Sequence, residues 1–201
     1  MKKILFILLP LLAFGCQQEF DIEPVGIITT DTQYVENNDF TRVKLFGEIT
    51  LEIDNSLENA IEVVTDEAFQ KFVLVNLRSN TLEIKRSIAA STQSPIDVKV
   101  RMATNQVYRF IAWNDSHITL DASLVSELIE VELQKNSSIS GEIECDTLTA
   151  LIHDNSQITL SGKADIINMN LNESSEANCP NLYVVSSNIE CDTTSNYIFM
   201  E

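Results

Sequence analysis

A five-residue pattern repeats in the second half of the sequence: Asn114-Asp115-Ser116-His117-Ile118, Lys135-Asn136-Ser137-Ser138-Ile139 and Asp154-Asn155-Ser156-Gln157-Ile158. A weaker copy follows at Glu173-Ser174-Ser175-Glu176-Ala177. The central serines of successive copies are 21, 19 and 19 residues apart. A period near 20 residues, with apolar and polar residues alternating inside each copy, is typical of a β-solenoid in which each copy forms one coil.

Apolar residues keep fixed positions relative to these serines. Four positions before the serine lie Ala112, Leu133, Ile152 and Leu171, and two positions after it lie Ile118, Ile139, Ile158 and Ala177. A single coil cannot bury such residues until a neighbour stacks on it, ~4.8 Å away. We therefore predict internal ladders in an all-β, single-stranded parallel β-helix, with the Asn, Asp and Ser residues forming corners because Asn and Asp tolerate left-handed backbone. An antiparallel β-sandwich is the alternative fold.

The first residues predict export. Lys2 and Lys3 precede an apolar run over residues 4–14, which is too short to span a bilayer as a permanent helix. The run ends in Leu12-Ala13-Phe14-Gly15-Cys16, which resembles a bacterial lipobox. We interpret residues 1–15 as a lipoprotein signal peptide and Cys16 as the lipidated residue, with an ordinary signal peptide as the alternative.

Three domain boundaries follow from this interpretation. Residues 16–38 are polar and lack a clear period, so we expect a lipid-anchored tether. Residues 39–201 are expected to form the β-helix domain. No aspartate directly follows Cys16, which resembles lipoproteins sent to the outer membrane. The predicted location is therefore the cell envelope, most simply the outer membrane, on either its periplasmic or its outer side.

Composition excludes several classes of partner. The net charge is −17, and from Phe110 onward the only cations are Lys135 and Lys163. Nucleic acid and anionic membrane surfaces are therefore poor partners. The sequence contains no CxxC motif and no Cys/His cluster, so we expect no zinc site and no cofactor.

The first half of the chain alternates in the same way. One short helix is predicted after Asp66, a fair N-cap residue, and no long amphipathic helix appears. The predicted strands are Phe40–Leu45, Glu48–Ile53, Ala60–Val64, Thr81–Lys85 and Pro95–Val100.

The order of these segments resembles a known family. The order is ITLEI (49–53), AIEVVTDEAFQKFVLV (60–75), NTLEIKR (80–86) and IDVKVRM (96–102), followed by the Asn/Ser-rich repeats. It resembles the putative auto-transporter adhesin, or head-GIN-domain, family of secreted Bacteroidetes lipoproteins, over about Phe40 to Glu201. That family usually carries a small Ser/Gly phrase where this chain has Asn114 to His117 without glycine. The resemblance implies a right-handed parallel β-helix and a lipid-anchored or secreted location.

The candidate functional residues lie at the corners and next to them. We expect a non-catalytic envelope lipoprotein whose β-helical surface serves adhesion or ligand binding, with a glycan or another envelope protein as the partner. Trp113 and His153 share an outward column, where a tryptophan can stack on a sugar or serve as structural cover. The possible ligand-facing residues are Trp113, Asn114, Asp115, His153 and Asp154.

Two chemical alternatives use the acidic residues. A carbohydrate-active β-helix lyase or hydrolase would need clustered carboxylates, although no arginine follows Arg109 to assist them. A weak calcium site between Asp115 and Asp154 is the second alternative. The candidate carboxylates for catalysis are Asp115, Asp146, Asp154 and Asp192.

The last copy of the repeat is expected to be compressed. We place it at Ser187-Asn188-Ile189, only 12 residues after Ser175, so that Tyr197-Ile198-Phe199-Met200 would close the end of the helix. Cys179 and Cys191 then follow their serines by four residues and share one column. We expect two buried thiols there, with a disulfide as the alternative.

Overall fold

The computed structural model describes residues 20–34, 40–54, 57, 60–87, 90–91, 94–103 and 106–199. These residues form strands and one 3-10 helix, Gln70–Phe72, and no helix among them is long and apolar enough to cross a membrane. The strands are β1 (Phe20–Asp21), β2 (Ile28–Tyr34), β3 (Arg42–Phe46), β4 (Thr50–Ile53), β5 (Ala60–Asp66), β6 (Val73–Arg78), β7 (Thr81–Arg86), β8 (Ala90–Ser91), β9 (Lys99–Met102), β10 (Arg109–Trp113), β11 (His117–Gln134), β12 (Ser138–Ile152), β13 (Gln157–Leu171), β14 (Glu176–Cys179), β15 (Asn181–Cys191) and β16 (Asn196–Phe199).

The repeats form a parallel β-helix, which confirms the predicted fold and shows that the β-sandwich alternative is wrong. Strands β10 to β16 pair in parallel, each coil with the next. Both predicted ladders are present in register, and all eight of their residues are buried. Removing each of these larger aliphatic side chains from water contributes about 1.5–3 kcal/mol, so the stack is held mainly by its interior.

The first coils do not follow chain order. The β3–β4 coil pairs in parallel with β7 and β9 on one side and with β10 and β11 on the other. Counted from the N-terminal end of the β-helix, β3 and β4 therefore form the second coil, β7 and β9 form the first, and β10 and the start of β11 form the third. Antiparallel strands close that end: β6 pairs with β7, β5 pairs with β9, and β2 pairs with β5.

The 3-10 helix lies in this N-terminal cap. The carboxylate of Asp66 accepts hydrogen bonds from the backbone N–H groups of Ala68, Val25 and Gly26 at 3.0, 3.2 and 2.8 Å. Burial acts to raise the pKa of Asp66, but these bonds outweigh it and lower the pKa. The predicted N-cap role of Asp66 is wrong, because the N-cap of the 3-10 helix is Phe69 and no side chain caps it. The Asp66 carboxylate instead holds the turn at Ala68 and the residues that precede β2.

The repeat serines form a buried ladder at one corner. Ser116, Ser137, Ser156 and Ser175 are at most 1% exposed. The hydroxyl of Ser137 donates to the carbonyl of Gln134 at 2.7 Å and accepts the N–H of Ser116 at 3.3 Å. The two residues before each serine have left-handed φ values between 53° and 64°, as predicted for the corners: Asn114 and Asp115, Lys135 and Asn136, Asp154 and Asn155, and Glu173 and Ser174. Each corner thus turns without glycine, and its serine satisfies backbone groups that the turn leaves unpaired.

A second corner depends on glycine. Gly141 has a φ of +142°, and a Cβ atom there would lie 2.4 Å from the Cβ of Leu120 in the preceding coil. A Cβ at Gly162 would lie 2.2 Å from the carbonyl oxygen of Ile143. Only glycine lets successive coils approach this closely.

The last coil is complete, so the predicted compressed copy at Ser187 is wrong. The corner lies at Ser195, 20 residues after Ser175, and the N–H of Ser175 donates to the Ser195 hydroxyl at 3.0 Å. Ile189 pairs with Met169, and Cys191 pairs with Leu171 in the interior column that begins at Ala112. The shared column of the two cysteines is also wrong, because Cys179 pairs with Phe199.

Only part of the predicted thiol environment is found. Cys179 is buried, but Cys191 is exposed because it lies in the final coil. Both are free thiols in the structure, as is the buried Cys145.

Residues interpreted as a tether contain a strand. Residues 28–34 form β2 and pair with β5, so this part of the segment is hydrogen-bonded to the cap of the β-helix. Residues 1–15, predicted to be a signal peptide, and Cys16, predicted to be lipidated, lie outside the described residues.

Candidate functional site

The β-helix presents a flat outer face just before the serine corner. In the last three coils this face carries mainly uncharged polar side chains, which recur because Asn occupies alternate positions of β13. Register places Thr149 beside Asn168 and Asn188, and Leu151 beside Asn170 and Glu190. We call this surface the amide face and define it by Thr149, Leu151, His153, Asn168, Asn170, Asn172, Asn188 and Glu190.

Hydrogen bonds between neighbouring coils and within one coil order these side chains. The amide of Asn170 donates to Glu190 at 3.1 Å, and the amide of Asn172 also donates to the carbonyl oxygen of Asn170. The Asn172 amide lies 3.5 Å from Nδ1 of His153. The amide face is therefore a laterally connected array whose donors and acceptors are already oriented before any ligand arrives.

A shallow groove of ≈200 Å³ follows this face between the columns. Its lining residues include Thr149, Leu151, Asn168, Asn170 and Glu190. Leu151 is 43% exposed, which gives the groove one apolar contact among amide and hydroxyl groups. This combination suits a ligand that offers both hydroxyl groups and short apolar faces.

His153 was predicted as a ligand-facing residue, but the asparagines of the amide face were not. The signal was available in the repeat: Asn168 and Asn170 alternate with the buried Ile167 and Met169, so they had to point outward. Their grouping with Thr149 and Asn188 needed the register between coils, which the compressed last copy obscured.

Trp113 lies in the same column as His153 but in an earlier coil, with Gln134 between them. Its ring packs edge-on against Phe46, with centroids 6.3 Å apart, and the Lys44 ammonium lies 3.9 Å from its ring centroid. The indole N–H is buried and has no hydrogen-bond partner among the described residues. Trp113 is thus half-buried, and the ring face under Lys44 is occupied within the protein itself.

The corner residues separate into two groups. Asn114 and Asp115 lie on one coil, and Asp154 lies two coils away, a distance of ~10 Å along the axis. The Asn136 amide donates to Asp115 at 3.0 Å, so an amide, not a carboxylate, is its neighbour. The proposed calcium pair of Asp115 and Asp154 is therefore not formed, because the Lys135–Asn136 corner lies between them.

Asp154 instead meets Glu173 in the next coil. A hydrogen bond with Asp154, together with its negative charge, raises the pKa of Glu173. Asp192 lies beside them and accepts the Glu173 N–H at 2.7 Å, which lowers the Asp192 pKa together with bonds from Thr194 and Ser195. Within the described ranges no group of three His, Cys, Asp or Glu side chains has an arrangement suited to a metal ion.

The remaining candidate carboxylate lies elsewhere. Asp146 follows Cys145 in the middle of β12, away from the serine corner, and Cys145 pairs with Ala164 of β13. The nearby Lys163 forms an ion pair with Asp165 at 2.8 Å. The four aspartates considered for catalysis are therefore not brought into one cluster. His117, on another face, bonds the Ser138 hydroxyl at 2.8 Å.

Several solved structures share this fold. The chain is similar to a putative adhesin from Parabacteroides merdae, at 14% identity and a TM-score of 0.66, over 88% of this chain and 82% of that one. It is also similar to a putative adhesin from Bacteroides fragilis, at 12% identity and a TM-score of 0.70, over 88% and 79%. A putative lipid binding protein from Parabacteroides distasonis has a TM-score of 0.54 at 12% identity, over 90% and 100%. At identities this low, the structural similarity shows a shared fold alone.

Sequence comparison gives the family. No curated protein matches the chain. The family model described as "Putative auto-transporter adhesin, head GIN domain" matches residues 39–200, and this description supports an adhesion-type role at the cell envelope or surface. Since the match covers most of the sequence, the chain belongs to the auto-transporter adhesin family with a head GIN domain.

Proposed function

We propose that this protein is a non-catalytic, lipid-anchored adhesin of the cell envelope that binds a neutral glycan on its amide face. The observation that carries the proposal is the row of outward asparagines that lines the groove, Asn168, Asn170 and Asn188, with Asn170 held by Glu190 and Asn172. Paired amides can donate to and accept from neighbouring hydroxyl groups of a sugar, and the exposed Leu151 can contact its apolar face.

Charge selects the class of glycan. Glu190 is the acidic member of the amide face, and lysine and arginine are nearly absent from this half of the sequence. A sulfated or uronic-acid-rich glycan would find no cation to pair with, and it would meet the carboxylate of Glu190. We therefore expect neutral glycans to bind and acidic ones to be excluded.

The test is a glycan array with matched variants. The double variant Asn168→Ala/Asn170→Ala should lose binding to the neutral glycans that the parent retains. Asn178→Ala, an outward asparagine on the neighbouring face, should bind as the parent does. Binding only of acidic glycans, or equal loss in both variants, would contradict the amide face as the site.

A parallel assay addresses the alternative of a carbohydrate-active enzyme. Glycans bound by the parent are incubated with it and then assayed for new reducing ends and for unsaturated products. We expect no product, because the four candidate aspartates are not brought into one cluster and no lysine or arginine lies among the residues beside Asp154 and Asp192 in sequence. Product formation that Asp154→Asn abolishes would replace the adhesin proposal with catalysis at the corner.

The anchor is tested separately. The lipobox-like sequence supports lipidation of Cys16, so a labelled fatty acid should be incorporated into the parent and not into Cys16→Ser. The variant should also leave the membrane fraction. Failure of the parent to take up label would refute the anchor without affecting the glycan proposal.

A further inference from the structure

No strand among the described residues covers the C-terminal end of the β-helix. In the interior columns, Ala177 is fully buried, but the next residue of its column, Tyr197, is 50% exposed. Ser187 likewise extends the column of the buried Ile167 and is itself exposed. A cavity of ≈480 Å³ lies at this end. We call this surface the end face and define it by the residues that line the cavity: Val184, Val185, Ser186, Ser187, Asn188, Ile189, Tyr197 and Phe199.

The strands at the end face have one unpaired edge each. Within the part of the chain that the structure describes, β15 pairs with β13 and β16 pairs with β14, and neither has a partner on its outer side. Exposed strand edges promote association unless charges, proline or a covering segment block them. Residues 196–199 contain no charged residue and no proline, and residues 186–191 contain only Glu190, which points outward to the amide face.

The opposite end of the same helix is closed. There the interior is covered by Phe69 and Val73, which are 0% and 7% exposed, and antiparallel strands flank them. A second copy could therefore not bury its end face against the N-terminal cap by continuing the stack head to tail. The C-terminal end of the second copy does offer exposed apolar side chains. A tail-to-tail contact is therefore the arrangement that buries the end faces of both copies.

Charge supports a second copy as the occupant. The eight residues of the end face carry no charge, in a chain of net charge −17. Two copies that meet elsewhere would juxtapose acidic surfaces, whereas two end faces meet without like charges at their centre. Solenoids need their terminal coils covered, and an identical end face supplies both strand edges and apolar side chains.

We propose that the end face is a homophilic docking surface, on which two copies of this chain join tail to tail about a two-fold axis. The axis brings strand edges together in antiparallel orientation, so the unpaired backbone groups of one copy can pair with those of the other. Tyr197, Phe199 and Ile189 of each copy become buried.

The contact has a consequence for adhesion, which rests on the anchor proposed above. Strand β2 is the first strand of more than two residues, and its pairing with β5 places it at the capped end. A tail-to-tail pair therefore holds its two N-terminal regions at opposite ends of one rod. Copies anchored in two facing membranes can meet in this way, so the homophilic partner is a second copy on the opposing surface.

The test uses the full chain, solubilised in detergent, with the protein mass measured by light scattering over a concentration series. The parent should reach twice the monomer mass as concentration rises. Ser187→Glu places a charge on each end face at an already exposed position and should stay monomeric. Ser123→Glu adds the same charge at an exposed site outside the end face and should dimerise like the parent.

Hydrogen exchange locates the contact. In the dimer, amides of residues 186–191 and 196–199 should be more protected than in Ser187→Glu, with the remaining strands unchanged. A parent that is monomeric throughout, or a Ser187→Glu variant that still dimerises, would overturn the proposal. Glycan binding by the monomeric variant separates this result from the amide-face proposal.

Discussion

The backbone N–H of Ser137 donates to the hydroxyl of Ser156 at 3.2 Å, one coil further along the helix. The same relationship joins Ser116 to Ser137 and Ser175 to Ser195. Each hydroxyl therefore links two coils inside a buried corner, where backbone groups have no water to bond. The repeat serines are internal connectors of the fold.

Ser137→Ala should destabilise the protein by about 2 kcal/mol, because it leaves the Ser116 N–H unpaired in a buried site and removes one of the two hydrogen bonds to the Gln134 carbonyl. The measurement is the midpoint of urea unfolding at an unchanged m-value. Ser138→Ala is the matched control: its hydroxyl faces outward to His117, and we expect a change within about 0.5 kcal/mol. Equal effects of the two substitutions would mean that the serine ladder does not stabilise the corner.

Gly141→Ala should destabilise by more than about 2 kcal/mol, since the new Cβ would overlap Leu120 in the preceding coil. Gly26→Ala is the control for backbone strain alone, because Gly26 has a φ of +76° but open space around its Cβ position. We expect that variant to lose only about 1 kcal/mol. Chemical denaturation of both variants separates the two contributions, and a Gly26 variant as damaged as Gly141→Ala would argue against the close approach of coils.

The three described cysteines should differ in reactivity. Burial raises the pKa of both the Cys145 and the Cys179 thiol to about 11, so little thiolate forms at neutral pH. Cys191 is exposed on the final coil. Maleimide at neutral pH should therefore label Cys191 first in the folded protein, and all three after denaturation without reductant. Peptide mass spectrometry reads the order, and a missing label on Cys179 and Cys191 after denaturation would reveal a disulfide.

Glu173→Gln should flatten the pH dependence of stability above the ordinary glutamate pKa of 4.5. The hydrogen bond and negative charge of Asp154 raise the folded-state pKa of Glu173, so the folded protein holds this proton more tightly than the unfolded chain. Stability from this group is present below the unfolded pKa and is lost as pH rises through the folded one. Melting temperatures over a pH series measure the effect.

The control for that prediction is Glu176→Gln, which removes one negative charge without removing a neighbour of Asp154. It should leave the shape of the pH profile unchanged. If both variants shift the profile alike, net charge rather than the Asp154–Glu173 pair governs this range.

The sequence by itself determined the coil. The repeat serines lie about 20 residues apart, and apolar residues equivalent to Ala112 and Ile118 stand at fixed distances from each serine. This pattern was enough to predict the parallel β-helix, both interior ladders and the left-handed corners. These features depend on contacts between equivalent positions, and equivalence can be counted along the chain. Counting failed at the last coil, because Ser187 offered a closer serine than the true corner, Ser195.

Only the tertiary structure decided which coils are neighbours and which side chains of neighbouring coils meet on the surface. The β3–β4 coil lies between two segments that follow it in sequence, and no local pattern encodes that order. Asp115 and Asp154 are separated, whereas Asp154 and Glu173 are joined, because contact depends on the adjacent coil. The end face likewise exists only in the stack: Tyr197 has the alternation of a core residue, and it is exposed because none of the described residues forms a coil on top of it.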